Sequence, residues 1–114
     1  QADPDQSLTN FLKLNNKALG FFVTTSKSYN LVEMLQGHSH KDIKVIGYDL
    51  LDKNNDLLKK NKISFLIHQS PKTQTYIGLT NLIEHFLFNK GIPNKKLLAI
   101  GIVNSENLIT YLEN

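Results

Sequence analysis

Three apolar segments of this 114-residue chain are each followed by side chains that form directed hydrogen bonds. Thr25 and Ser26 close the segment ALGFFVTTS, and Asp49 follows IKVIGY. Gln69 comes directly after ISFLIH. Hydroxyl, carboxylate and amide groups accept and donate hydrogen bonds in fixed directions, as binding of a hydroxyl-rich small molecule such as a sugar requires. We therefore take these four residues as candidate ligand-binding residues.

Each candidate also has a purely structural alternative. Thr25 or Ser26 could cap a helix that begins at residue 28, because hydroxyl side chains are favoured at helix starts. Asp49 could cap the turn that follows it, and Gln69 could bond the backbone of its own loop. The residue types alone do not decide between these roles and ligand binding.

Other residues that could do chemistry are better explained by packing. His68 ends an apolar strand and is interpreted as a wall residue rather than a base. Tyr29 and Tyr48 could stack on a sugar, but packing in the core or in a wall is favoured. His38 and His40 have no carboxylate or cysteine pattern beside them, so they indicate a surface loop rather than a metal site. Neither a metal site nor a cofactor is predicted.

The composition argues against an enzyme. The chain contains no cysteine, which excludes disulfides and thiolate chemistry, and all thirteen basic residues are Lys. The motifs of serine hydrolases, nucleotide-binding loops and zinc peptidases are missing from it. Asp49 and Asp52 are one turn apart, which is weak support for acid–base catalysis. No apolar run approaches the ~20 residues of a membrane span.

Hydrophobic periodicity predicts strands alternating with helices. Helices are predicted over 7–14, 28–36, 54–61 and 71–89, strands over 18–25, 42–48, 63–68 and 96–103, and a helix or a terminal strand over 105–112. This alternation indicates an α/β, three-layer fold with a mainly parallel sheet, and the continuously apolar strands suit helices on both faces. Because the carboxyl ends of parallel strands meet at one edge, the candidate residues are expected to lie together there.

Three segments, in their order and spacing, resemble a known family. They are FFVTTSKSYNLVEML, DIKVIGYDLL and NNDLLKKNKISFLIHQSPKTQTYIGLTNLIEHFLF. Over roughly residues 5–112 the chain resembles the effector-binding domain of lactose-repressor-family (LacI/GalR-type) regulators, and is similar to periplasmic sugar-binding proteins of the same type I fold. The resemblance implies that Asp49 binds ligand hydroxyls and that Gln69 lines the same cleft. The family usually has Asn-Asp where this chain has Thr25 and Ser26, which leaves the identity of the ligand open.

The resemblance also implies a particular place in a two-lobed domain. Residues 1–114 would form its C-terminal portion, in a truncated chain without the first half or the DNA-binding head. The chain would cross a hinge at Gln69, Ser70 and Pro71, and the helix at 71–89 would then belong to the first lobe. Without that lobe, we expect it to pack on the remaining sheet or on a second copy of the chain.

Three functions remain in competition. The first is an effector-sensing domain of a cytoplasmic regulator, which binds a small sugar-like effector, forms a homodimer and contacts DNA only through an N-terminal head, with no membrane partner. The second is part of a periplasmic sugar-binding protein of a transporter. The third is a compact doubly wound enzyme or receiver-like domain, although Asp3 and Asp5 precede a helix rather than follow a strand.

Overall fold

The computed structural model describes residues 3–38 and 42–113. Helices and strands alternate along these ranges, as the hydrophobic pattern predicts. In chain order the elements are α1 (Pro4–Leu14), β1 (Gly20–Phe22), α2 (Ser28–Gln36), β2 (Lys44–Tyr48), α3 (Asp52–Lys59), β3 (Phe65–His68), α4 (Pro71–Phe88), β4 (Gly101–Val103) and α5 (Leu108–Leu112). The open alternative for residues 105–112 is therefore resolved as a helix.

The first helix begins three residues earlier than predicted. Asp3 is its N-cap, and the carboxylate of Asp3 accepts a hydrogen bond from the backbone N–H of Asp5 at 3.1 Å. Pro4 occupies the first turn, where its fixed φ suits the helix and its missing N–H costs nothing. Ser7 therefore lies inside the helix rather than at its start, because the Asp-Pro pair supplies an earlier start.

The four strands form one sheet in the order β1-β2-β3-β4. β1 and β2 pair in parallel, as do β2 and β3, with Gly47 opposite Leu66 in the second pair. β4 runs antiparallel to β3, with Val103 opposite Leu66. The predicted fold class, α/β with a mainly parallel sheet, is confirmed.

The last strand is shorter than the predicted 96–103. Only Gly101–Val103 is strand, and residues 96–100 pair with no strand within the described part of the chain. Leu97 is 79% exposed, so the apolar run before β4 is not buried here. Periodicity reports a tendency to be buried, whereas a strand also needs a neighbour for its backbone hydrogen bonds. The run KLLAIGIV has the apolar pattern, but its residues 96–100 have no neighbouring strand to bond among the described residues.

Helices cover one face of the sheet. Val45, Leu66 and Val103 point to this face and are almost fully buried in a core that α1, α2, α3 and α5 complete. Strand alternation sends Phe22, Phe65 and Ile102 to the opposite face, where each remains 40–55% exposed. The described residues thus supply two of the three predicted layers.

The long helix α4 stands away from the sheet. It has no buried residue, and its apolar side chains are largely exposed. The expectation that it packs on the remaining sheet is therefore wrong, because the chain leaves the sheet at Ser70 with a left-handed backbone, φ 51°. The other alternative, packing on a second copy, stays a prediction. None of the helices in the described ranges combines the length and apolarity needed to cross a lipid bilayer.

Candidate ligand-binding site

Asp49 and Gln69 lie side by side at one edge of the sheet. Asp49 follows β2 and Gln69 follows β3, and these strands are parallel neighbours. Gln69 Nε2 donates to Asp49 Oδ1 at 3.4 Å. This distance is longer than the usual 2.7–3.2 Å of an N–H···O bond, so the contact is weak. A ligand hydroxyl can therefore replace it at little cost.

The backbone at Asp49 has an uncommon conformation. Its φ of 66° lies in the left-handed region, which Asp tolerates better than most residues. The N–H of Asp49 donates to the carbonyl oxygen of Ile67 on β3 at 3.0 Å. The turn thus remains tied to the neighbouring strand while it redirects the chain. Its consequence is a carboxylate held beside Gln69 at the sheet edge.

The backbone of Gln69 is also tied down. Gln74 Nε2 donates to the Gln69 carbonyl oxygen at 2.6 Å, which connects the end of β3 to the second turn of α4. Pro71 occupies the first turn of that helix. Proline fixes its own φ, so Pro71 limits the backbone freedom at the start of α4.

A residue that the sequence analysis did not single out organises this edge. Asn54, on α3, is fully buried. Its Nδ2 donates to the carbonyl oxygen of Ser26 at 2.8 Å and to those of Tyr48 and Asp49 at 3.1 Å each. Its Oδ1 accepts from the N–H of Tyr29 at 3.1 Å. One side chain thus joins the segments that follow β1 and β2.

Ser26 and Thr25 lie on the first of these segments. The Ser26 carbonyl shares the Asn54 amide with Asp49, which places the two candidate segments next to each other. Thr25 is exposed, and its Oγ1 accepts from the Lys27 N–H at 3.3 Å. The N-cap of α2 is Lys27, without a side-chain cap bond. Neither hydroxyl therefore caps that helix.

The fold recurs in solved structures, whereas no family model and no curated protein sequence matches the chain. A protein from Bacteroides fragilis, assigned as a LacI transcriptional regulator, matches with 30% identity over 96% of this chain, at a TM-score of 0.85. A periplasmic solute-binding protein of an ABC transporter from Actinobacillus succinogenes, with bound D-allose, has 22% identity over 94% and a TM-score of 0.81. A solute-binding protein from Burkholderia graminis, in complex with D-arabinose, has 18% identity over 94% and a TM-score of 0.80.

The chain is a partial type I periplasmic-binding-protein-like domain. It spans 38% of the length of the first two of these proteins and 39% of the third. The predicted resemblance to LacI-type regulators and periplasmic sugar-binding proteins is confirmed. The named similar proteins are a regulator and transporter binding proteins rather than enzymes.

The purely structural alternatives for Asp49 and Gln69, helix capping and bonding to loop backbone, find no support in this type I domain. The N-cap of α3 is Leu51, without a side-chain cap bond, so Asp49 does not cap the helix after it. The side chain of Gln69 contacts Asp49 rather than loop backbone. Asp49 and Gln69 thus face each other at an accessible edge.

The aromatic residues near this edge of the type I domain are engaged in packing. Tyr29 is half-buried, with Lys53 Nζ 4.8 Å from its ring centroid. Tyr48 packs edge-on against Phe22, with ring centroids 5.8 Å apart. The interpretation of both tyrosines as wall residues agrees with these contacts.

The histidines of the described ranges form no cluster that could bind a metal ion. His68 packs edge-on against Tyr111 of α5, with centroids 5.5 Å apart, as a wall residue does. His38 is half-buried, and His40 lies outside the described residues. Over 3–38 and 42–113, no three His, Cys, Asp or Glu side chains converge in a way that could hold a metal ion.

A separate groove borders the candidate site. A cavity of about 430 Å³ lies between α4 and residues 96–100, and Gln69, Gln74 and Asn81 border it, whereas Asp49 does not. The rest of its wall is mainly apolar. The Asp49 edge offers a carboxylate as well as the amide of Gln69, so we take this edge, rather than the groove, as the candidate site for hydroxyl groups.

Proposed function

We propose that this chain is part of a sugar-binding domain that senses an effector in a LacI-type transcriptional regulator. The observation that carries the proposal is the contact between Gln69 Nε2 and Asp49 Oδ1, which joins the carboxyl ends of two parallel strands. In open parallel sheets, ligands bind beyond these ends. The similar B. fragilis protein supports the regulator in particular.

The two side chains have complementary roles toward a sugar. The Asp49 carboxylate accepts hydrogen bonds from two neighbouring hydroxyls, and such charge-assisted bonds are stronger than neutral ones. The Gln69 amide donates to one sugar oxygen and accepts from another. The hydroxyls of Thr25 and Ser26 complete the wall on the β1 side. A ring with several hydroxyls satisfies this set better than an apolar ligand does.

The crossing at the end of β3 links binding to a change of shape. Gln69 contacts the sheet edge through Asp49 and α4 through Gln74. A ligand that replaces the Gln69–Asp49 contact therefore acts on the segment that carries α4. If it binds better when α4 is closed over the edge, it shifts the population toward the closed form. In a cytoplasmic homodimer, such closure would change the spacing of the DNA-binding heads.

Transport is a second candidate function. Solved structures of the same fold include ABC-transporter solute-binding proteins with bound D-allose and D-arabinose. The same edge chemistry suits a receptor that delivers its sugar to a membrane transporter. The two functions therefore differ in the partner of the closed form, DNA or a membrane transporter, and not in how the sugar is bound.

Sugar binding is tested by calorimetry on the complete protein. D-allose, D-arabinose, D-glucose and D-galactose are titrated separately. Buffer alone and the linear polyol sorbitol are the controls. The expected result is saturable binding of at least one ring sugar and no binding of sorbitol. Absence of saturable binding for a broad panel of pentoses and hexoses would contradict the proposal.

The regulator and the receptor are separated by a DNA-binding measurement. Binding of the complete protein to fragments of genomic DNA is measured at several salt concentrations, with and without the sugar found by calorimetry. A regulator retains a subset of fragments at a salt concentration that removes the others, and the sugar changes their affinity. Retention of no fragment at any salt concentration would favour the transport receptor.

A further inference from the structure

Asn54 has the hydrogen-bonding pattern of a clamp. It is fully buried, and both ends of its side-chain amide are engaged. The two hydrogens of Nδ2 face three carbonyl oxygens, those of Ser26, Tyr48 and Asp49, at 2.8–3.1 Å. A polar side chain without partners would be costly at such a depth, so this saturation stabilises the site.

We infer that Asn54 is the positioning residue of the ligand site: it sets the distance between the wall at Thr25 and Ser26 and the carboxylate of Asp49. The inference rests on the proposed function, because it names the residue that shapes the same site. Asn54 itself is inaccessible to ligand. It acts through the two backbone segments that its Nδ2 group connects.

The chemistry of the clamp requires an amide. Three carbonyl oxygens need a donor, and the Tyr29 N–H needs an acceptor in the same side chain. Asp has the same shape, but its ionised carboxylate offers acceptors only. Whether its carboxyl is ionised or protonated, Asn54→Asp leaves at most one donor for the three carbonyls that hold the segments at Ser26 and Asp49 together. These two segments would then move apart.

The clamp also explains how Asp49 keeps its left-handed backbone. A residue other than glycine with φ 66° needs surrounding contacts that hold it. Asn54 bonds the carbonyls on both sides of this φ angle, those of Tyr48 and Asp49. The N–H of Asp49 is held by Ile67. Loss of the Asn54 donors leaves Asp49 free to relax to an extended conformation, which redirects its carboxylate.

The neighbouring Asn55 provides a matched control. It is also buried and also lies on α3, with Nδ2 donating to the Leu50 carbonyl at 3.1 Å. Its Oδ1 has no hydrogen-bond partner among the described residues. It makes no hydrogen bond to the Ser26 segment or to Asp49. Asn55→Asp therefore tests the cost of a buried carboxylate on this helix without opening the clamp.

The experiment measures sugar affinity by calorimetry in the complete protein, with D-allose and D-arabinose as probes. We expect Asn54→Asp to weaken binding by about tenfold or more, and Asn55→Asp to change it less than about twofold. Equal affinity in Asn54→Asp and wild type would overturn the inference, as would equal losses in both variants. If Asn54→Asp does not fold, Asn54→Ser and Asn55→Ser, which keep one donor, take their places with the same criteria.

A second readout does not depend on a sugar. The amide ¹H–¹⁵N resonance of Lys27 reports on the peptide group whose carbonyl belongs to Ser26. The resonance of Tyr29 reports on the N–H that donates to Asn54 Oδ1. They should shift in Asn54→Asp and stay in place in Asn55→Asp. If the wild type binds no sugar of a broad panel of pentoses and hexoses, the proposed function fails, and this comparison still decides on the clamp. Resonances that stay in place in Asn54→Asp would overturn it.

Discussion

Gln69 Nε2 donates to Asp49 Oδ1 across 3.4 Å, and this pair joins the ends of two strands that run in the same direction. The two residues are 20 positions apart in the chain. Only the parallel pairing of β2 and β3 brings them together, because an antiparallel pair would send their ends to opposite edges. The geometry of the sheet is therefore the basis of the proposed site.

Replacing Gln69 should separate binding from stability. The Gln69–Asp49 bond is long and exposed, so Gln69→Leu should change the free energy of unfolding by less than about 0.5 kcal/mol. The same change should weaken sugar binding by about tenfold, because one donor and one acceptor to the ligand are lost. Urea unfolding and calorimetry on the complete protein check both values. A variant that binds sugar as well as the wild type contradicts the role of Gln69.

β2 and α2 lie so close together at Gly47 and Ser28 that a larger residue at Gly47 should destabilise the protein. A Cβ on Gly47 would lie 2.6 Å from the Cβ of Ser28 and would also collide with Ser28 Oγ. Gly47→Ala should therefore lower the free energy of unfolding by about 1–3 kcal/mol in urea unfolding. The double variant with Ser28→Gly should recover part of this loss, since it removes the colliding atoms.

Gly37 is the matched control for that substitution. It ends α2 with φ −75°, and the nearest atom to an added Cβ is the Met34 carbonyl oxygen at an ordinary 3.5 Å. Gly37→Ala should raise the free energy of unfolding by up to about 1 kcal/mol, because it restricts the unfolded chain without strain. A similar loss in both alanine variants would refute the collision at Gly47.

Removal of the Ser28 hydroxyl is predicted to stabilise the protein. Ser28 is fully buried, and its Oγ has no hydrogen-bond partner within the described residues. Ser28→Ala removes an unsatisfied polar group and should raise the free energy of unfolding by about 1 kcal/mol. The exposed Ser7 serves as a control, where the same change should stay within about 0.5 kcal/mol. Destabilisation by Ser28→Ala would show that the hydroxyl has a partner in solution.

The sequence predicted the fold class and the shared edge because both follow from periodicity. Apolar strands that alternate with helices define a parallel sheet, and a parallel sheet places Asp49 and Gln69 together. The direction of β4 and the unpaired state of residues 96–100 could not be predicted in the same way. They depend on which strands are available as neighbours, and local apolar pattern carries no information on this.

Asn54 could not be assigned from its neighbourhood in sequence, although a signal was present. Asn is unfavourable inside a helix, and Asn54 lies one turn before the buried Leu58, on the same helical face. A polar residue on an apolar face indicates a buried hydrogen-bonding role. One of its partners, the carbonyl of Ser26, lies 28 residues earlier in the chain, and only the fold reveals this contact.

The exposed apolar surface of α4 predicts self-association of the 114-residue chain on its own. Phe86 is 80% exposed on a helix with several other exposed apolar residues, which is typical of an interaction surface. Light scattering should show a mass that rises with concentration, and Phe86→Lys should reduce this rise. Leu19→Lys, at a similarly exposed position outside α4, should leave it unchanged. A constant monomer mass at all concentrations contradicts this prediction.

The most direct test of the account is the affinity of Asp49→Ala for a sugar that the wild-type protein binds, measured by calorimetry. Asp56→Ala, an exposed aspartate on α3, is the control. We expect Asp49→Ala to weaken binding by about tenfold to a hundredfold, which corresponds to the loss of charge-assisted hydrogen bonds, and Asp56→Ala to bind as the wild type does. Wild-type affinity in a folded Asp49→Ala protein would contradict the account.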